Sequence, residues 1–128
     1  MLDKLKLTPI TVLDDYQVMV RDNKEVVLTT IVGEEALNPY GKAHGGYSFT
    51  LADSVAGLTT VVLGSYSVTL QSNIHYMAAV ELGEQLEVVG RCVHNGSRTK
   101  VIDVTIHNQE HTLLAQASFT MFVTGKVE

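Results

Sequence analysis

The sequence predicts an α+β domain in which one long, buried helix lies against a strongly curved antiparallel sheet. Three observations carry that prediction. From Gly45 to Leu63 the chain is largely apolar and free of proline, and that run is too long for a strand. Runs rich in β-branched residues flank it, separated by short turn-like segments. The apolar residues of the long run (Tyr47, Phe49, Leu51, Ala52, Val55, Ala56, Leu58, Val61 and Val62) circle nearly the whole helix, so it needs cover on most sides. A curved sheet closed by a second copy of the chain gives that cover, and pairing between copies also protects the long strand edges.

In chain order, residues 2–7 form a helical turn. Residues 11–22 and 25–32 read as two strands with 22–24 as the hairpin loop. The segment "GEEALNPYG" (33–41) is a loop or a single helical turn. The helix follows over 45–63, with Thr59–Val62 weakening its last turn and Gly64 ending it. The remainder is strand: 65–80, 84–96, 99–109 and 112–125, with "ELGE", "NGSR" and "NQEH" as the turns.

Composition bounds the function. The 128 residues fit one domain over 1–128, large enough for a real core, and 45% hydrophobic with 18% charged residues is the balance of a soluble globular protein. A net charge of −5 argues against a nucleic-acid binder, which would normally show a basic face, but leaves room for an anionic small ligand at a local cationic patch. The one cysteine, Cys92, cannot form an intrachain disulfide, and its strand-like surroundings read as a sheet position rather than a nucleophile. No run reaches the ~20 apolar residues of a membrane span, and the N-terminus lacks the features of a signal peptide. A cytoplasmic location with no membrane partner is the expectation. His75, His94, His107 and His111 match no zinc spacing, so neither a metal nor a cofactor is expected.

One carboxylate, Asp53, interrupts the apolar helix. Aspartate is a poor helix-interior residue and is almost never buried without a partner. Helical spacing puts it on a stripe of small or hydroxylated residues: Gly46, Thr50, Ala56, Gly57 and Thr60. That stripe either faces water or lines a cleft where a substrate or another backbone comes close. His44-Gly45-Gly46 opens the same helix, where unpaired N–H groups and the positive end of the dipole suit a developing oxyanion. Gly45 and Asp53 are eight residues, or about 12 Å, apart on one helix, whereas contacts to a single reacting carbon must be near 3 Å. Two helices antiparallel about a two-fold axis would bring Gly45 of one chain to Asp53 of the other.

The string Asn38, His44-Gly45-Gly46 and Asp53, in the pattern N-x5-H-G-G-x7-D, resembles the hotdog-fold acyl-CoA thioesterases of the phenylacetate-pathway (PaaI-like) branch. The similarity continues through "SVTLQSNIHYM", "ELGEQLEVVGRCVHNGSRTKVIDVTI" and "LLAQASFTMFV". Ala79 departs from it, standing where relatives commonly carry proline. The resemblance implies a hotdog fold, paired into a homodimer and often a dimer of dimers, that hydrolyses acyl-CoA thioesters without a metal. It implies Asp53 as nucleophile or general base, the Gly45 N–H on the thioester carbonyl, and Asn38 at the same carbonyl or orienting the water. It further implies Thr69 as the hydroxyl that positions the water, and His44 in an architectural role.

Such chemistry is adequate for a thioester, whose carbonyl is electrophilic and whose thiolate leaves easily; no G-x-S-x-G elbow points to a serine hydrolase. Gly46 and Tyr47, with Tyr40 and Phe49, are near enough in sequence to shape the acyl site. Coenzyme A carries several phosphates, for which Arg98 and Lys100 offer charge and Gly96 and Ser97 offer donors. The alternative for that turn is an ordinary hairpin with solvated charges. The alternative for the whole chain is a non-catalytic acyl-CoA sensor on the same fold.

Overall fold

A computed structural model describes residues 15–128. The helical turn expected over 2–7 and the first residues of the expected strand 11–22 lie outside the described residues. The elements in order are β1 (Gln17–Val20), β2 (Val26–Ile31), a 3-10 turn (Glu34–Ala36), α1 (Gly45–Val62), β3 (Ser65–Tyr76), β4 (Gln85–Asn95), β5 (Thr99–His107) and β6 (Leu113–Lys126). The strands make one antiparallel sheet in the order β1-β2-β4-β5-β6-β3.

Strand alternation sets the core. Leu28, Leu86, Val88, Ile102, Val104, Ile106 and Phe119 are buried with Leu51, Ala52, Val55 and Ala56 of α1. Phe49 meets Phe119 with ring centroids 5.6 Å apart. Close approach of helix and sheet depends on Gly90 in β4: a Cβ there would lie 2.4 Å from Thr59 Oγ1 and 2.7 Å from Val55 Cγ1. At the start of α1, His44 Nδ1 accepts the Tyr47 N–H at 3.0 Å. Gly64, at φ +98°, takes the left-handed conformation that ends the helix.

The chain departs from the sequence expectations in two places. The strand expected over 65–80 ends at Tyr76. Beyond it, the N–H groups of Met77 and Ala78 both turn onto the Leu114 carbonyl, and the Val80 carbonyl accepts the Ala43 N–H. Second, the stripe around Asp53 is split: Ala56 and Thr60 are fully buried, whereas Asp53 and Gly57 keep partial exposure. One chain alone does not enclose α1. Asp53, Ser54, Gly57, Leu58 and Val61 remain half-exposed.

Beside that open face runs β3, an edge strand of 12 residues. It carries a bulge at Leu70: Thr69 pairs with Met121 and Gln71 with Thr120, which leaves Leu70 without a partner. The extra residue shifts the side-chain parity of the strand. Ser67 and Thr69 bond to α1 before the bulge, and Ile74 and Tyr76 meet the core and α1 after it.

Candidate active site

Three side-chain bonds fasten β3 to α1. Ser67 and Thr60 share a hydroxyl hydrogen bond of 2.6 Å. Thr69 donates to Asp53 Oδ1 at 2.6 Å. Tyr76 donates to the Gly45 carbonyl oxygen at 2.9 Å. The last two mark the two ends of the site expected from sequence, and they are separate places on one helix.

At the Asp53 end the carboxylate is half-buried, and no cation among the described residues forms an ion pair with it. Oδ1 takes the Thr69 hydroxyl hydrogen, and Oδ2 has no hydrogen-bond donor among the described residues. Thr69 Oγ1 also lies 3.7 Å from Met121 Sδ. Met121 pairs with Thr69 on one side and Lys100 on the other, so the β4–β5 turn stands level with the carboxylate, not with Gly45.

In that turn the expected phosphate-binding residues divide. The Lys100 side chain is buried and its ammonium donates to Asn95 Oδ1 and, at 3.0 Å, to the Gly96 carbonyl, so it holds the turn closed. Gly96 is needed for packing, since a Cβ would meet the Thr99 carbonyl at 2.6 Å and His94 Nε2 at 2.7 Å. Ser97 and Arg98 are exposed, and no acceptor among the described residues holds the Arg98 guanidinium. The thiol of nearby Cys92 is pushed up by burial, against a backbone hydrogen bond at His94 and the charge of Lys100, which opposes thiolate chemistry.

At the other end, Gly45 and Gly46 begin the helix, where α-helical geometry gives their N–H groups no acceptor. The His44 ring spends its Nδ1 lone pair on the Tyr47 N–H and so is a cap. Asn38 sits in a tight loop: its Oδ1 accepts the N–H groups of Tyr40 at 2.9 Å and Lys42 at 3.2 Å. The carbonyl half of the amide is therefore occupied, and the NH2 half is the part left for a ligand. The loop is pinned by the Ala43 N–H on the Val80 carbonyl and the His44 N–H on the Ala36 carbonyl.

Tyr47, expected to line the acyl site, instead packs against the core. Burial, reinforced by the Glu35 carboxylate and opposed by a hydrogen bond with Thr30, pushes its hydroxyl above the ordinary tyrosine range. Tyr40 is almost fully exposed. A concavity of about 450 Å³ adjoins Gly45 and is lined by Ala43, Ser48, Tyr76 and Met77–Val80. Tyr76 is the residue that sequence reasoning missed. Seven positions from Thr69, it falls on the opposite face under strict alternation, and only the Leu70 bulge brings it to the helix. A larger concavity, about 540 Å³, lies away from both ends, beside Asp15 and the start of β4.

The sequence profile of the thioesterase superfamily matches residues 40–115. The fold superposes with a TM-score of 0.89 on a Streptococcus mutans protein bound to acetyl CoA, at 46% identity over 96% of this chain and 99% of that one. It superposes at 0.90 on a hypothetical thioesterase with coenzyme A from Streptococcus pneumoniae, at 46% identity over 94% of each chain. Among curated sequences, the acyl-coenzyme A thioesterase PaaI of Escherichia coli is 29% identical over 73% of this chain and 67% of its own length. The chain spans 60% of the length of a relative from Archaeoglobus fulgidus.

Proposed function

We propose that this chain, which belongs to the thioesterase superfamily and has its hotdog fold, hydrolyses an acyl-CoA thioester in a site completed by a second copy. The observation that carries the reading is the Asp53 carboxylate: half-buried, free of any ion pair among the described residues, and bonded through one oxygen to the Thr69 hydroxyl. Thr69 directs its hydrogen to Oδ1, so its own lone pairs are free to accept from a water whose second hydrogen points to Oδ2. Asp53 then acts as general base on that water.

The oxygen of the water forms a bond to the thioester carbon as its proton passes to Oδ2. The carbonyl oxygen becomes an oxyanion, held by the Gly45 N–H and the Asn38 NH2 group. Collapse of the tetrahedral intermediate breaks the C–S bond, and the leaving thiolate recovers the proton from Asp53. The products are a carboxylic acid and free coenzyme A.

The roughly 12 Å between Gly45 and Asp53 on α1 requires two chains. The open face of α1 and the exposed edge of β3, with Val68 at 55% and Leu70 at 63% exposure, supply the surface for a two-fold partner. The Asp53 of each site and the Arg98 level with it then come from one chain, and Gly45 and Asn38 from the other. Arg98 is the cation for the coenzyme A phosphates.

The test is thiol release from short-chain, long-chain and aryl CoA thioesters, with Asp53→Asn expected to remove it while the protein stays folded. Tight binding of a nonhydrolysable CoA analogue with no release by the wild-type chain would make it a sensor instead. A single turnover in H2(18)O, with enzyme in excess, separates the two roles of Asp53. General-base catalysis puts the label in the product acid. A nucleophilic Asp53 expels the thiolate to form a mixed anhydride, and attack of water on the aspartyl carbonyl of that anhydride puts the label in Asp53.

A further inference from the structure

Gly45 and Gly46 have no side chains to restrict them, yet an oxyanion site needs their peptides held in one orientation. His44 restrains one side of the pair by capping the Tyr47 N–H. The other restraint comes from across the fold. Tyr76, the last residue of β3, donates its hydroxyl hydrogen to the Gly45 carbonyl at 2.9 Å. Its ring also lies against Gly45, where a Cβ would be 3.1 Å from Oη and 3.2 Å from Cζ. The backbone that carries the ring is held in turn, since Tyr76 pairs with Ala115 and the next residue's N–H is bonded to the Leu114 carbonyl.

The Gly45 carbonyl belongs to the same amide as the Gly46 N–H. A hydrogen bond donated to that oxygen draws electron density from the nitrogen and makes the N–H a stronger donor. One hydroxyl thus fixes the Gly45–Gly46 peptide plane and, through the shared Gly45 Cα, restrains the neighbouring Gly45 N–H that faces the oxyanion. The same ring walls the 450 Å³ concavity beside Gly45.

We propose that Tyr76 is a positioning residue for the oxyanion site, acting through the Gly45–Gly46 peptide and not on the substrate. The proposal rests on the hydrolase reading above. Its device is the Leu70 bulge, which lets one strand place Thr69 against Asp53 and Tyr76 against Gly45 on the same face.

The test is Tyr76→Phe, which keeps the ring and removes only the hydroxyl. The expected result is a kcat about tenfold lower with KM within about twofold and the thermal midpoint unchanged, a smaller loss than the ~10²–10³ of deleting an oxyanion donor outright. In 15N–1H NMR spectra the Gly46 nitrogen resonance moves upfield, while those of Val61 and Val62 at the far end of α1 stay in place. A kcat within twofold of wild type, or an unmoved Gly46 resonance, overturns the proposal. So does an equal loss in the thermal midpoint, which would reduce Tyr76 to a packing residue. If the wild-type chain releases no thiol from any acyl-CoA, the hydrolase reading fails and with it the role in oxyanion binding. The Gly46 resonance then still decides whether Tyr76 holds the peptide.

Discussion

Thr69 donates its hydroxyl hydrogen to Asp53 Oδ1 across 2.6 Å, tying the edge strand to the helix at the one carboxylate in α1. The bond leaves the Thr69 oxygen as an acceptor and Asp53 Oδ2 as a base, a pair suited to holding one water between them. Replacing the hydroxyl with a methyl of nearly the same size removes that acceptor without opening a cavity. Thr69→Val is therefore expected to lower kcat by ~10–100-fold, the range of a lost orienting partner, with little change in KM. Thr69→Ser is expected to retain most of the rate. Steady-state thiol release checks both, and a fully active valine variant removes Thr69 from the mechanism.

The shared site makes a sharper prediction than dimerisation alone. Asp53→Ala removes the base. Gly45→Pro removes the oxyanion N–H at the first helical position, which proline suits, after a His44 whose ψ of 156° is compatible with a following proline. Tyr76 must yield slightly, since a Cβ at 45 meets its hydroxyl at 3.1 Å. Each variant alone is expected to be inactive. Equal amounts mixed under subunit exchange give half heterodimers with one intact site each, hence about a quarter of wild-type activity by two-fold symmetry. No recovery, with heterodimers shown by native mass spectrometry, places both groups in one chain.

Much of this was legible in sequence, and the parts that were not share a cause. The helix, the strand runs and the Asp53–Gly45 spacing follow from periodicity and distance along one element. Lys100 illustrates the limit: as a residue type it offers charge to a phosphate, but the β5 alternation turns it inward onto Asn95 and Gly96. Tyr47 is similar, sitting beside the Gly-Gly turn yet facing Thr30 and Glu35. Tyr76 was hidden by a bulge, a one-residue change of register that no period-2 pattern reveals. Side-chain direction depends on pairing between distant strands, which spacing within one strand does not encode.

Arg98 is the exposed cation of the β4–β5 turn, whereas Lys100 is already engaged. Arg98→Ala is expected to raise KM for an acyl-CoA by ~5–10-fold, in line with one charge-assisted contact, with kcat unchanged. For an acyl thioester of N-acetylcysteamine, which lacks the nucleotide, KM should not move. The wild-type KM for acyl-CoA should also rise with salt, and the variant's less steeply. Equal effects on both substrates would leave the turn a plain hairpin.

The approach of α1 to β4 sets where Asp53 sits, and Gly90 permits it. An alanine there would put its Cβ 2.4 Å from Thr59 Oγ1 and 2.7 Å from Val55 Cγ1. Thr59 cannot swing aside freely, because it is fully buried and its hydroxyl donates to the Val55 carbonyl at 2.7 Å. Gly90→Ala is expected to destabilise the fold by ~1–3 kcal/mol through overpacking, read from urea midpoints. Thr59→Ala alone loses a hydrogen bond and leaves a small void, so it too should destabilise. In the double variant the methyl at 90 enters the space left at 59, although Val55 still crowds it. The combined loss should therefore fall short of the sum of the single losses by at least ~0.5 kcal/mol. Strict additivity would mean that the helix moves off the sheet as a unit. Activity would then fall with stability, since Asp53 would be carried away from Thr69.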